Sequence, residues 1–402
     1  MLQKLINRLL KPRHFWRGVN FDELSEIYAS MFLRSLALSI TAIFVPIYLY
    51  KIGFSLNSIF LMYVIWFASR IFFDYLIAKI IGAFGPKHTI AFATVLHIVY
   101  LMMLMTVQDL HWPLFLIALV GSFATATFVL AFEVDFSKVK HPEHGGKELG
   151  YEQMFERVGA IAGPLIGGLV ATFIDPRYTL ALAIIVLCGS LVPIFMSAEP
   201  VHTHKQIIFK GFPYRRHWRD FISATALSTE NVVSGIAWPI FIAVFFLTKD
   251  TFAQLGILTS VSTAVALLAI YTIGKLVDEH KGGMLLKLGC ICNAILHLFR
   301  PFVTGVGQIL GINIINEPVT VAYRLPFLKG RFDAADQIVG YRALYFMITD
   351  MFAAAGNTVL WFFLWAATAI NGAQWALKSS FFIAALCSLA IMTQRFAALR
   401  DN

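Results

Sequence analysis

Charge is what this 402-residue chain has least of: Asp, Glu, Lys and Arg make up 14% of it against 58% hydrophobic residues, and its mean hydropathy is +0.73. A soluble domain carries about 25% charged residues, so a water-facing surface and a sizeable soluble domain are excluded. Cysteine is also scarce, and all four residues, Cys188, Cys290, Cys292 and Cys387, stand in apolar segments. Cys290-Ile-Cys fits neither a zinc site nor a Cys-x-x-Cys redox pair, so these read as small packing hydrophobes. There is no G-x-x-x-x-G-K-[ST] loop to hold ATP phosphates. A zinc-type His-Glu-x-x-His and a nucleophile elbow are missing too, which leaves His141, His144, His202 and His204 as loop histidines and argues against a lipid-modifying enzyme. The first 19 residues lack an uninterrupted apolar core: Lys4, Arg8, Lys11, Arg13 and Arg17 interleave with Leu2, Leu5, Ile6, Leu9 and Leu10. They read as an amphipathic segment lying on anionic lipid, not as a cleaved signal.

Long apolar runs are what the chain does have. A spanning helix needs about 20 apolar residues. Runs bounded by charges and turn residues predict twelve, at 28–50, 55–80, 88–107, 112–136, 151–173, 178–197, 220–246, 252–276, 284–304, 306–328, 340–368 and 373–395. The expected fold class is therefore all-α integral membrane. Its organisation would be a basic N-terminus (1–27), a six-helix bundle (28–198), a basic connecting loop (199–219), a second six-helix bundle (220–395) and a short tail (396–402). Lys and Arg gather on one side, in the N-terminus, at Lys79, Lys87, Lys138, Lys205, Lys210, Arg215, Arg216, Arg219, Lys275, Lys329 and Arg331. The other side has Lys51, Arg177 and Lys249, with Arg300 and Lys378 near helix ends. That bias predicts cytoplasmic N and C termini. The net charge of +9 is thereby accounted for without a nucleic-acid partner.

The chain also repeats itself. Phe44-Val45-Pro46-Ile47-Tyr48 in the first helix matches Ala237-Trp238-Pro239-Ile240-Phe241 in the seventh. The segment Ala131 to Lys138, followed by Gly150-Tyr151, matches Ala322 to Lys329, followed by Gly340-Tyr341. Both matches have nearly the same offset and stay in register with the helix count, which is the signature of two related halves.

Three short patterns carry a resemblance. Gly274-Lys275-Leu276-Val277-Asp278-Glu279-His280-Lys281-Gly282, between the eighth and ninth helices, resembles the cytoplasmic G-x-L-x-D-R-x-G-R motif of the major facilitator superfamily. The equivalent turn in the first half, Ala78 to Lys87, keeps only the glycine and the basic end. Gly159-Ala160-Ile161-Ala162-Gly163-Pro164-Leu165-Ile166-Gly167-Gly168 is similar to the G-x-x-x-G-P-x-x-G-G signature of that superfamily's proton-linked antiporters, although the arginine such antiporters carry in the fourth helix is missing. The resemblance implies that Asp278 and Gly274 act in cytoplasmic gating. It also implies that helices one, four, seven and ten line a central cavity. On physical grounds Gly159, Gly163, Gly167 and Gly168 let another backbone approach closely, while Pro164 weakens the helix.

Charged side chains inside spans cost at least about 2.5 kcal/mol each unless paired, wet or neutral, so they are the functional candidates. Glu230-Asn231 on the seventh helix and Asn313 with Asn316-Glu317-Pro318 on the tenth stand at mid-depth, where loss of water favours proton uptake by a carboxyl. Pro318 is expected to interrupt the tenth helix beside Glu317. Arg34 on the first helix either snorkels or holds an anionic group. Arg70 and Asp74 share a face four residues apart and read as a self-neutralising pair with a gating role. Asp350 shares a face with Arg342 and is a candidate for contact with Arg34 or Arg70. His97 and His297 read as satisfied packing histidines, and Glu133, Asp135, Glu152, Glu156 and Arg157 as a solvated cluster or cytoplasmic gate.

The function expected from these readings is secondary transport of a small molecule by alternating access. Proton-linked export of an amphipathic compound is the first form, proton-linked uptake of a metabolite the second, and a non-transporting receptor or assembly factor the third. The protein is expected to be monomeric and multi-pass in a plasma membrane of the bacterial inner-membrane kind, with lipid, a small-molecule substrate and protons as partners. No cofactor, metal or nucleic acid is expected.

Overall fold

The computed structural model describes residues 21–139, 145–194, 209–247, 249–276, 282–338 and 340–399, and every regular element among them is helical. We number the long helical segments α1 to α12. The first, α1, is Phe21–Ser39 and, after a turn, Val45–Lys51; α2 is Leu56–Phe84, α3 Pro86–Met105, α4 Leu114–Val139, α5 Gly145–Phe173 and α6 Pro176–Ile194. Next, α7 runs Tyr214–Val232, then Val233–Ala237 in π geometry, then Trp238–Phe245; α8 is Thr251–Leu276, α9 Gly282–Phe299, α10 Val306–Asp336, α11 Arg342–Asn371 and α12 Ala373–Ile391. Ten of these, all but α1 and α10, are long and apolar enough to cross a membrane. Their outer surfaces carry Phe72, Phe173, Leu268 and Ile370, each at least three-quarters exposed, which suits lipid and not water.

Local chemistry sets several boundaries. Ser55 caps α2 by accepting from the Ser58 N–H at 3.1 Å. Gly85, at φ 82°, turns the chain in one residue into α3, where Pro86 has no N–H to leave unpaired.

Packing repeats between the halves. In the first half α1 contacts α5 and α6, α4 contacts α2 and α3, and α3 contacts α6; in the second, α7 contacts α11 and α12, α10 contacts α8 and α9, and α9 contacts α12. Adding six to each helix number converts the first set into the second. The halves meet chiefly along two seams, α2 against α11 and α5 against α8, which the same operation interchanges. One apolar cluster unites both halves toward the face where α7 begins, which we call the connection face, and another unites them toward the far face.

The repeated Pro-Ile sites also behave alike. The helix breaks into a turn at residues 40–44 ahead of Pro46 and widens into π geometry at Val233–Ala237 ahead of Pro239. In each case the proline lacks an N–H and its ring conflicts with the carbonyl four residues back.

Several expectations need correction. Pro318 does not interrupt α10, which is continuous from Val306 to Asp336. Arg215, Arg216 and Arg219 stand in the opening turns of α7 and not in a loop. The N-terminal residues 1–20, Asp278, and the four loop histidines His141, His144, His202 and His204 lie outside the described residues.

Candidate functional site

Glu230, on α7 just before the π turn, is fully buried inside the second half. Three donors hold its carboxylate: Tyr323 Oη of α10 at 2.6 Å, Ser234 Oγ at 2.7 Å and His297 Nε2 of α9 at 3.0 Å. Arg300 donates to the other ring nitrogen of His297 at 3.1 Å, to Ser234 Oγ at 2.9 Å and to Asn316 Oδ1 at 3.0 Å. A neutral imidazole protonated at Nε2 serves both of its neighbours, so one tautomer satisfies the chain of contacts. Arg300 stands at the end of α9, as expected, but it is 1% exposed and supplies the counter-charge for Glu230. Trp238 Nε1 donates to Asn313 Oδ1 at 2.8 Å, tying α7 to α10 again. The interior of the second half thus carries a polar network, spanning α7, α9 and α10, in which a lone glutamate is neutralised.

At the connection face charges cross between the halves. Arg331 of α10 grips Glu133 of α4 with two bonds, 2.8 and 3.0 Å, and reaches Asp350 of α11 at 3.0 Å. Asp350 also faces Arg70 of α2 at 3.7 Å, and Arg70 lies 3.7 Å from Asp74. Glu133, read from sequence as part of a solvated cluster or cytoplasmic gate, and Arg331, counted with the cytoplasmic cations, are largely withdrawn from water and paired across the halves where α4 and α10 come together.

Midway along, Arg157 of α5 meets Glu317 of α10 at 3.3 Å, again across the halves, with side chains 16% and 19% exposed. Two residues beyond Arg157 the glycine series begins. A Cβ at Gly159, Gly163 or Gly167 would collide with the α1 backbone near Phe32, Ser39 and Ile40. At Gly168 it would strike the Phe252 carbonyl of α8, and at Gly256 of α8 the Pro164 carbonyl of α5. The series therefore has two edges, one against its own half and one against the other. Toward the far face the same seam continues with Phe44 edge-on to Phe252 at 5.6 Å, and Tyr63 of α2 stacks on Trp361 of α11 at 4.4 Å.

The remaining candidates fall elsewhere. Arg34 is buried within the first half, donating to Thr94 at 3.3 Å and His97 at 3.1 Å and lying 3.5 Å over the Phe128 ring, so all these partners belong to α3 and α4. It neither snorkels nor meets Asp350. Arg342 pairs with Asp336 at 2.7 Å and not with Asp350. Asn231 is half-buried with no hydrogen-bond partner among the described residues, and Gly274 lies in the last turn of α8. Among the described residues no cluster of His, Cys, Asp and Glu fits a metal. Sequence reading missed the roles of Arg300, Arg331 and Tyr323. The spacing of seven between Glu317, Arg324 and Arg331, which puts all three on one face of α10, was the available signal.

The family model described as Major Facilitator Superfamily matches residues 27–315, well over half of the chain. The chain belongs to the Major Facilitator Superfamily. Membership points to a membrane transporter rather than an enzyme. The nucleoside transporter NupG is similar in structure, with a TM-score of 0.65 at 14% identity, covering 92% of this chain and 97% of that one. The E. coli fucose:proton symporter FucP aligns with a TM-score of 0.66 at 14% identity, over 92% of this chain and 96% of its own. At such identity the likeness is one of fold. No curated protein matches this superfamily member by sequence.

Proposed function

We propose that the protein is a proton-coupled secondary transporter that moves a small molecule by rocking its two halves about the α2–α11 and α5–α8 seams. The observation that carries this reading is the Arg157–Glu317 pair: a mid-helix carboxylate, partly open, whose partner belongs to the opposite half. Protonating Glu317 removes its attraction for Arg157, so proton binding and separation of the halves become one event. Glu230, by contrast, is fully engaged by three donors within one half. It reads as the anchor that holds α7, α9 and α10 together. The transporter is proposed to sit in a plasma membrane with the connection face toward the cytoplasm, following the distribution of Lys and Arg.

Export by antiport rests on the glycine series of α5. Uptake by symport is the second reading, favoured by the absence of an arginine within α4 and by the fold shared with a fucose:proton symporter. The test uses proteoliposomes with an entrapped pH dye and a panel of metabolites and amphipathic compounds. Solute-dependent proton movement is expected for the wild type, its direction separating export from uptake. It should vanish in Glu317→Gln while that variant stays folded, with its melting temperature only slightly lowered. Intact proton movement in that variant removes Glu317 from the mechanism.

A further inference from the structure

Along the face of α10 that turns toward the first half, every polar side chain but one is matched. Asn313 accepts from Trp238, Glu317 pairs with Arg157, Thr320 accepts from Asn316 at 3.2 Å, and Arg331 pairs with Glu133 and Asp350. Arg324 stands seven residues from both Glu317 and Arg331, about 10 Å from each along the axis. A spacing of seven drifts only about 20° around a helix, so Arg324 shares their face and points into the same interface between the halves. It is half-buried, and among the described residues it has no hydrogen bond, ion pair or ring contact.

An unpaired guanidinium within a membrane bundle is costly unless water or an anion reaches it. Its planar fork of donors matches the paired oxygens of a carboxylate or phosphate better than any neutral group. The two cations beside it on this interface, Arg157 and Arg331, are already committed to carboxylates, so a negative ligand arriving between the halves finds Arg324 as its free partner.

We infer that Arg324 is the anion-recognition residue of a binding site between the halves, and that the transported molecule carries a carboxylate or phosphate group. This rests on the transporter reading above and gives it a substrate class. An anion bound at Arg324 lies about two helical turns from the Arg157–Glu317 pair. Its charge competes with Glu317 for Arg157, so filling the site and loosening the cross-half contact are linked.

The test uses the full chain in nanodiscs of zwitterionic lipid, with thermal stabilisation measured against acetate, succinate, inorganic phosphate and phenyl phosphate, and glycerol and an uncharged glucoside as neutral controls. At least one anion is expected to stabilise the wild type at millimolar concentration while the neutral compounds do not. Arg324→Gln should bind that anion at least tenfold more weakly, and Arg324→Lys, which keeps the charge but loses the fork, should fall between. The melting temperature without ligand should change little, since Arg324 has no hydrogen bond or ion pair to lose among the described residues. A parallel arm with anionic lipid separates a headgroup from a soluble solute, and stabilisation by anionic lipid alone overturns the inference. So does stabilisation by none of the anions, or equal affinity in Arg324→Gln, the result expected if Arg324 is merely a reserve partner for Glu317 or Glu133. Anion binding that depends on Arg324 without any pH-gradient-driven flux would leave this site standing while removing proton coupling. Flux without anion binding would do the reverse.

Discussion

Arg331 holds both carboxylate oxygens of Glu133 across the boundary between the two halves, at 2.8 and 3.0 Å. Asp350 shares the same guanidinium, so one arginine ties α4 and α11 to α10. Removing one partner of a buried pair costs about 3–5 kcal/mol because the other is left stranded.

Arg331→Gln strands Glu133 and Asp350 on opposite sides of the boundary, and their mutual repulsion should open the connection face. Spin labels at Phe84, the last residue of α2, and Lys329, about two turns before the end of α10, should report a longer mean distance in this variant. An unchanged distance distribution would show that the apolar cluster alone holds that face closed.

Glu230→Gln leaves one oxygen where the carboxylate offers two to three donors. The new amide N–H₂ must then oppose Tyr323, Ser234 or His297. The expected cost is about 1–3 kcal/mol for a buried donor left without an acceptor, read as a lower midpoint in thermal unfolding. Tyr323→Phe removes one donor and leaves the other two in place, so its loss should be about 1 kcal/mol. A larger loss for the phenylalanine variant contradicts this ordering.

The two edges of the α5 glycine series should separate by phenotype. Gly163→Ala presses on α1 within the same half and should destabilise the folded protein by about 1–3 kcal/mol. Gly168→Ala presses on the Phe252 carbonyl across the seam, so it should raise cysteine accessibility at Thr172 and Phe252 near the far face, with a smaller change in melting temperature. Equal accessibility in both variants would mean that the seam carries no state preference.

A double-mutant cycle on Arg157→Gln and Glu317→Gln should give a coupling of about 1 kcal/mol in stability, since the pair is partly wet and its solvent screening is substantial. Each single variant should impair flux more than stability. A coupling of zero with normal flux would make the pair incidental.

Much of the architecture could be read from residue order because lipid imposes it. Apolar runs of spanning length, the Lys and Arg bias and the matched segments around Pro46 and Pro239 all follow from the solvent. The pairing partners could not be read that way. Glu230 and Glu317 look alike in sequence, each beside an asparagine at mid-helix, yet one is locked by α9 and α10 while the other faces α5. The difference depends on how α7 and α10 are rotated, and short polar stretches leave that rotation undetermined. Arg34 was ambiguous for the same reason, since its partners Thr94 and His97 are some sixty residues away in the chain. Arg331 was counted with the surface cations because a basic residue near a helix end usually is one.

The paired interruptions ahead of Pro46 and Pro239 have a mechanical consequence. Each half owns one soft joint at an equivalent position in its opening helix, where the regular ladder of backbone bonds gives way. The outer stubs, Val45–Lys51 and Trp238–Phe245, contact each other across the midline. Both are packed into one apolar cluster, and Trp238 is bonded to Asn313 of α10, so a parting of the far mouth has to work against that packing, with each opening helix bending at its interruption.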